Sequence, residues 1–338
     1  MRIAITGASG NLGTALIRAL RAHDPGGEIV GICRHPPAES SDGAEGVDWR
    51  SVDLADPETE PVLVDAFDGV DAVVHQAWAI QPTREAERLH QINVGGTGLT
   101  LRAAAQARVP QLIHVSSIAV YAPTGAGPVT ETWPATGVTS SVYSRQKVEA
   151  EALVGEFARA NPDTIVSWVR PTLVVQRSAA TEIAGLFTGR LGPMKALGKL
   201  RGRLPLLPLP ANLQMQLVHS DDVADAMVRI VDQRAAGPFN LAADVIGAAE
   251  LGGLMGARTV SIPRQVARVA VGAAYHAHAI PTSPGWFDMF VEGAQVDCSR
   301  ARTQLGWNPQ YTSTEAASEL LDGFADGAHG SSDALQGS

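Results

Sequence analysis

The stretch Ile3-Ala-Ile-Thr-Gly-Ala-Ser-Gly-Asn-Leu-Gly13 decides the fold. An apolar run over residues 2–6 leads directly into glycines at 7, 10 and 13, and an amphipathic segment follows over 12–22. Each glycine has its own reason: Gly7 permits the tight turn after the strand, Gly10 lets backbone approach a pyrophosphate, and Gly13 allows the helix to pack closely on the strand. The helix opening near Asn11 then directs its free N–H groups and positive dipole end at the phosphates. A glycine triplet alone is a weak signal. Set between a strand and a helix, it reads as a dinucleotide-binding turn made of Gly7, Ser9, Gly10, Asn11, Leu12 and Gly13.

Outward from this turn, short apolar runs at 28–33, 71–75, 111–116 and 164–170 alternate with helical stretches at 61–66, 86–107 and 143–160. Continuous Val- and Ile-rich runs fit strands buried on both faces of a parallel sheet. After about residue 175 the alternation breaks down. Residues 204–210 (LPLLPLP) read as a proline-punctuated apolar loop. A strand-like piece returns at 216–219, a helix at 221–231, a strand at 239–241 and a closing helix at 314–324. From Gly327 the chain is small and polar and reads as a disordered tail. The expectation is an α/β fold: a Rossmann-type, doubly wound parallel sheet of about seven strands from 1–175 and 216–242. A smaller mixed α/β substrate lobe comes from 176–215 and 243–325, and the tail spans 326–338.

With 338 residues, 45% hydrophobic and 18% charged, the chain has the composition of a globular protein with a sizeable core. Its net charge of −9 argues against nucleic acid or an anionic membrane as partner. The basic residues Arg190, Lys195, Lys199, Arg201 and Arg203 form the one basic concentration, read as a solvated face rather than an anion site. Cys33 and Cys298 are far apart and lack metal-ligand spacing, so no metal and no disulfide scaffold is expected. The first strand starts at Arg2, leaving no signal peptide in this reading, and no run of about 18 apolar residues appears. A cytoplasmic protein is expected.

The end of the second strand selects the nicotinamide cofactor. An NAD site wants an acid there for the ribose 2′-hydroxyl, whereas an NADP site takes an arginine beside the 2′-phosphate. Residues 31–35 read Gly-Ile-Cys-Arg-His, without an acid, so Arg34 points to NADP(H) as the preferred cofactor, with NAD(H) as the alternative.

A second constellation is Tyr143-Ser-Arg-Gln-Lys147, which puts a phenol and an ammonium one helical turn apart. With only four tyrosines and three lysines in the chain, that spacing rarely arises by chance. A neighbouring ammonium, helped by the positive charge of oxidised nicotinamide, favours the phenolate, so Tyr143 is expected to exchange a proton with an alcohol oxygen near neutral pH. Val115-Ser116-Ser117 ends a strand, where active-site groups gather in open α/β sheets, and a serine hydroxyl there can orient the substrate oxygen.

These residues, in this order and spacing, resemble the extended short-chain dehydrogenase/reductases, the group that includes the NAD-dependent epimerase/dehydratase family. The likeness runs on through Val52-Asp53-Leu54, His75-Gln76-Ala77, Asn93-Val94-Gly95-Gly96-Thr97, Ser117 to Tyr121, Arg170-Pro171-Thr172, 218–224 and 305–309. The resemblance implies roles. Asp53 and Leu54 border the adenine, Ala77 and Trp78 line the ribose and nicotinamide side, and Pro171 contacts the nicotinamide end. Asn93 braces the backbone behind the site and joins Ser117, Tyr143 and Lys147 as the catalytic set; Ser117 is the catalytic serine, with Ser116 its neighbour in the strand. The helices at 86–107 and 143–160 would pair across a homodimer. His219, Asp221 and Asp222 read as a helix cap joining the two lobes.

Family resemblance does not select the reaction. Ile118-Ala119 stand where dehydratases of this group place an Asp-Glu pair, so elimination is not expected. Trp78, Trp133, Phe187, the Leu-Pro loop, Trp286 and Phe287 are the notable apolar residues of the substrate side. Such aromatics more often form local core than a substrate wall, but as an apolar pocket they would suit a ketone or hydroxyl on a hydrophobic small molecule. The expected function is therefore an NAD(P)-dependent ketoreductase or alcohol dehydrogenase. The alternatives are a nucleotide-sugar 4-epimerase with retained NAD, whose diphosphate only the 190–203 stretch could hold, and a non-catalytic NADP(H) sensor.

Overall fold

The computed structural model of the protein describes residues 1–38, 45–80, 86–125, 127–188 and 201–330. Its apolar runs assemble into a seven-stranded parallel sheet: β1 (Arg2–Thr6), β2 (Glu28–Cys33), β3 (Val47–Ser51), β4 (Ala72–His75), β5 (Gln111–Val115), β6 (Ile165–Pro171) and β10 (Gly237–Leu241), in the order β10-β6-β5-β4-β1-β2-β3. The chain winds outward both ways from the β1/β4 pair, which sets a crevice beyond the carboxyl ends of those strands. Helices α1 (Asn11–His23) and α7 (Ser220–Gln233) cover one face; α2 (Glu60–Phe67), α4 (Gly96–Gln106) and α5 (Val142–Ala160) cover the other. This is the expected doubly wound architecture.

The lobe adds a three-stranded sheet of β7 (Leu173–Val175), β9 (Gln214–His219) and β11 (Val245–Gly247), with β9 central. It also carries helices α6 (Ala180–Thr188), α8 (Ala248–Met255), α9 (Arg264–His276), α10 (Pro284–Glu292), α11 (Ser299–Leu305) and α12 (Ser313–Asp326). His219 caps α7, its Nδ1 accepting from the Asp221 amide at 3.2 Å. The Asp222 carboxylate accepts the amides of Gln310 (2.7 Å) and Tyr311 (3.2 Å), and the buried Trp307 indole donates to the Asp222 carbonyl. Asp222 thus ties the C-terminal segment to α7, while Asp221 pairs with Arg18 of α1 at 2.6 Å.

Four details depart from the sequence reading. Residues 204–210 are not a plain loop: β8 (Leu206–Pro210) pairs in parallel with β12 (Arg258–Ile262). A two-stranded sheet consists only of edges, and an edge tolerates prolines that donate no ladder bond. Strand β3 (VDWRS) escapes the reading because it is half exposed at the sheet edge and lacks an apolar run. The helix over 86–107 is interrupted: α3 (Ala86–His90) passes through a π turn, Gln91–Gly95, before α4. Lastly, the tail is anchored at its start. Gly327 closes α12 with φ +64°, and the Ala328 carbonyl accepts both the amide (3.2 Å) and the hydroxyl (2.9 Å) of Thr181. Residues 331–338 lie outside the described ones.

Candidate active site

The glycine turn is built as its sequence demands. Gly7 adopts φ +73°, and a Cβ there would stand 2.8 Å from the Ala77 backbone. A Cβ on Gly13 would collide with the carbonyls of Gly7 and Ala8. Gly10 differs: a Cβ there would meet only the Gly7 carbonyl, at 3.4 Å. Protein packing therefore explains Gly7 and Gly13, whereas Gly10 keeps room on the open side of the turn. Gly10 also caps α1 without any side-chain hydrogen bond, so the helix presents its first N–H groups there.

Beside this turn runs a cleft of about 370 Å³. Of the residues expected at the site, Gly7, Ser9, Gly10, Asn11, Leu12, Gly13, Arg34, Asp53, Leu54, Ala77, Trp78, Ser116, Ser117, Tyr143, Lys147 and Pro171 all line it. Asn93 does not. It stands one layer behind, presented by the π turn, where its amide bonds both the N–H (2.7 Å) and the carbonyl (3.0 Å) of Ala79 and reaches Gln146 at 2.9 Å. Asn93 therefore braces the segment that carries Trp78, and π turns recur at such functional positions.

The catalytic trio is brought together by α5. Ser141 caps that helix through the Ser144 amide (3.2 Å), and the Ser144 hydroxyl donates to the Ala119 carbonyl (2.6 Å), which pins the Ser117 loop to the helix. The Ser117 hydroxyl accepts from the Ala119 amide (3.1 Å) and lines the cleft with the Tyr143 phenol, which it pulls slightly toward ionisation. The Lys147 ammonium donates to the Val115 carbonyl at 3.0 Å and lies 3.5 Å over the centre of the Trp78 ring, but 5.9 Å from that of Tyr143.

The chain's own groups do not by themselves lower the phenol. Burial pushes Tyr143 up to about 12, against a smaller downward pull from the Ser117 hydrogen bond. Burial likewise lowers Lys147 to about 7, partly offset by Glu151 one turn on, whose carboxylate is gripped by Arg170 at 2.9 and 2.6 Å. Desolvation outweighs the lysine's influence because the ammonium points at Val115 and Trp78 rather than at the phenol. The protein's own groups hold the phenol protonated.

Several polar atoms in the cleft are shielded from solvent yet have no partner among the described residues: Asn11 Oδ1, both amide atoms of Gln76, Trp78 Nε1, Ser116 Oγ and Thr172 Oγ1. Such atoms are costly unless a ligand satisfies them. They cluster at the carboxyl ends of β1, β4, β5 and β6, beside the glycine turn, so the residues present fit a dinucleotide.

The opposite wall is apolar and aromatic. Trp286 on α10 lies 5.0 Å from Tyr143 between ring centres, Trp78 6.1 Å edge-on, and Phe290 stacks behind Trp286 at 6.1 Å. Trp133 and Phe287 are not part of this wall; Trp133 packs on the core and donates to the Ala122 carbonyl. Nor does the Leu-Pro segment join it, Leu206 being exposed, and the side chain of Phe187 lies outside the described residues. In the basic stretch, Arg190, Lys195 and Lys199 lie outside the described residues, while Arg201 binds Asp322 and the Leu254 carbonyl away from the cleft. Motif reading quoted Gln76 and Thr172 without giving them a role, and missed Glu182, Met289 and Phe290. Only Glu182 left a trace in the sequence, as the lone charge in the apolar helix ATEIAGLFT.

The sequence profile of the NAD dependent epimerase/dehydratase family matches residues 3–242. The chain is 27% identical to dTDP-6-deoxy-L-talose 4-dehydrogenase (NAD(P)(+)) of Kitasatospora kifunensis, over 94% of each chain. Among solved structures it resembles UDP-glucose 4-epimerase of Thermotoga maritima, with a TM-score of 0.72 at 18% identity, covering 97% of this chain and 99% of that one. It also resembles dTDP-glucose 4,6-dehydratase of Streptomyces venezuelae, with a TM-score of 0.71 at 21% identity and coverage of 96% and 97%. These structural likenesses speak for the fold.

Proposed function

The chain belongs to the NAD dependent epimerase/dehydratase family and is an NAD(P)-dependent enzyme; from that premise we propose that it reduces a ketone on a small, largely apolar molecule with NADPH, or runs the same step back from the secondary alcohol. The observation that carries this reading is the trio Ser117, Tyr143 and Lys147 in a cleft walled by Trp78, Trp286, Met289 and Phe290. Bound NADPH supplies the hydride. Tyr143 donates its proton to the carbonyl oxygen as negative charge develops there, and the Ser117 hydroxyl orients that oxygen. The phenolate left behind lies 5.9 Å, ring centre to ammonium, from Lys147, which turns to it from the Val115 carbonyl and the Trp78 ring as the charge develops.

For the cofactor, the turn from Gly7 to Gly13 and the start of α1 take the phosphates, and Asp53 and Leu54 take the adenine. Ala77, Trp78, Ser116 and Pro171 take the nicotinamide half. Arg34 is exposed at the cleft's rim, where its guanidinium would meet a 2′-phosphate in a charge-assisted contact. Initial rates with acetophenone as ketone test the assignment. NADPH is expected to exceed NADH in kcat/KM by at least about tenfold, and Arg34→Ser to erase most of that ratio. A preference for NADH would overturn it.

The nucleotide-sugar reading keeps one specific support, the Kitasatospora relative that is a 4-dehydrogenase of a nucleotide-linked deoxysugar. Against it, no described residue of the lobe brings a cation to the cleft for a diphosphate. An epimerase would carry NAD through purification, which native mass spectrometry detects. Tyr143 and Lys147 both face the cleft, which favours an enzyme over a cofactor sensor. The homodimer through α4 and α5 belongs to the same proposal, as does a cytoplasmic setting.

A further inference from the structure

The unpartnered atoms that fit a dinucleotide all stand on the Rossmann side of the cleft. One more stands opposite. Glu182 projects from the first turn of α6, and its Oε2 is shielded from solvent with no hydrogen-bond partner among the described residues. Within the described parts of the lobe (176–188, 201–215 and 243–325) it is the one side chain in this condition. The other polar lobe residues at the cleft are engaged: Gln214 with Gln295 at 2.9 Å, and Gln216 with the backbone of Val296 and Ala243.

Among the described residues, nothing in the fold needs this acid. Neighbouring Ala180, Ile183 and Ala184 pack α6 into an apolar cluster with Ala316, Leu320 and Phe324 of α12. The nearby cation Arg177 is paired with Asp326. A carboxylate in the first turn favours a helix only weakly, by less than an unpaired buried polar group costs. Burial accordingly pushes Glu182 up to about 7, with no charged group among the described residues offsetting it. A carboxyl group kept in a cleft at such cost has its partner in what the cleft receives.

We propose that Glu182 selects the substrate: its carboxyl group takes a hydrogen bond from a hydroxyl or amino substituent of the ketone and turns away substrates with a carboxylate or phosphate at that end. The ketone's identity rests on the reductase reading above; the contact itself does not. A hydrogen-bonding group buried in an otherwise apolar site discriminates strongly against analogues that leave it unpaired. At a pH above about 7, where the group is ionised, repulsion between like charges in the desolvated cleft adds to this against anions.

The test uses the NADP⁺-loaded protein and four probes of one shape: acetophenone, hydroxyacetophenone, aminoacetophenone and acetylbenzoate. Binding is followed through cleft tryptophan fluorescence, and turnover with NADPH separately. The wild type is expected to bind the hydroxy and amino probes best and acetylbenzoate worst. Glu182→Gln, nearly the same shape but unable to ionise, is expected to improve acetylbenzoate by about tenfold, and Glu182→Ala to lose about tenfold on the hydroxy and amino probes. Acetophenone and NADPH affinity should stay within about twofold in both. An unchanged probe order in both variants overturns the proposal. So does loss of NADPH affinity at constant probe order, which would assign Glu182 to the cofactor, and so does a wild type that binds none of the probes. The predicted binding order without any reduction would leave Glu182 in this role and remove the reductase reading instead.

Discussion

Tyr143 and Lys147 sit one helical turn apart, and their spacing was legible from the sequence alone. Their protonation was not. From the chain's own groups the phenol rises to about 12, because burial acts on Tyr143 while the ammonium is turned toward the Val115 carbonyl and the Trp78 ring, which leaves the expected lowering to the charge of oxidised nicotinamide. A phenol protonated at neutral pH is suited to give a proton to a carbonyl oxygen, the direction of ketone reduction. Tyr143→Phe keeps the ring and its contact with Trp286 but removes that proton. Turnover is expected to fall roughly 100- to 10,000-fold with NADPH affinity nearly intact, and a retained rate would remove Tyr143 from the acid–base role. Arg34 was equally readable, since absence of an acid after β2 is a local feature. Glu182 was not, since only the fold brings it across from the glycine turn.

At the scale of elements, α10 places the aromatic wall over the catalytic residues. Asp288 holds it there: its carboxylate accepts the Arg268 guanidinium from α9 at 2.6 and 3.0 Å and the Ser140 hydroxyl at 2.9 Å, next to the cap of α5. Asp288 is buried and Arg268 half exposed, so the tie joins two helices and the catalytic loop at one carboxylate. Hydrogen bonds to charged groups contribute about 1.5–3 kcal/mol. Asp288→Ala is therefore expected to loosen α10, raising KM for the ketone by about tenfold more than it changes kcat, and to increase acrylamide quenching of Trp286 as judged against Trp286→Phe. Equal quenching in the two backgrounds would show that α10 does not depend on this tie. No sequence pattern announces it, because Ser140 and Asp288 are 148 positions apart.

For the whole molecule, the sheet divides two apolar cores, and α4 and α5 form part of its outer layer on one side. If those helices pair across a two-fold axis, each protomer's catalytic helix is braced by its partner. Sedimentation velocity at micromolar concentration is expected to show a dimer of about twice the 35.4 kDa chain mass, and a monomer there would refute the pairing. No helix among the described residues is long and apolar enough to cross a membrane. The sequence by itself determined the glycine turn, the alternation of buried strands and crossover helices, and the Tyr143–Lys147 face. These rest on local periodicity and on glycines whose need is set within a few residues. Only the tertiary structure decided that the proline run 206–210 is a strand, that Asn93 supports rather than lines the cleft, and that Tyr143 is held protonated. It also set Trp286 and Glu182 on the far wall. Each of these depends on burial and on partners from distant parts of the chain, and desolvation has no signature in the order of residues. The glycine turn with which the sequence begins therefore predicts where a dinucleotide lies, while the wall facing it, and with it the choice of substrate, is a property of the folded chain.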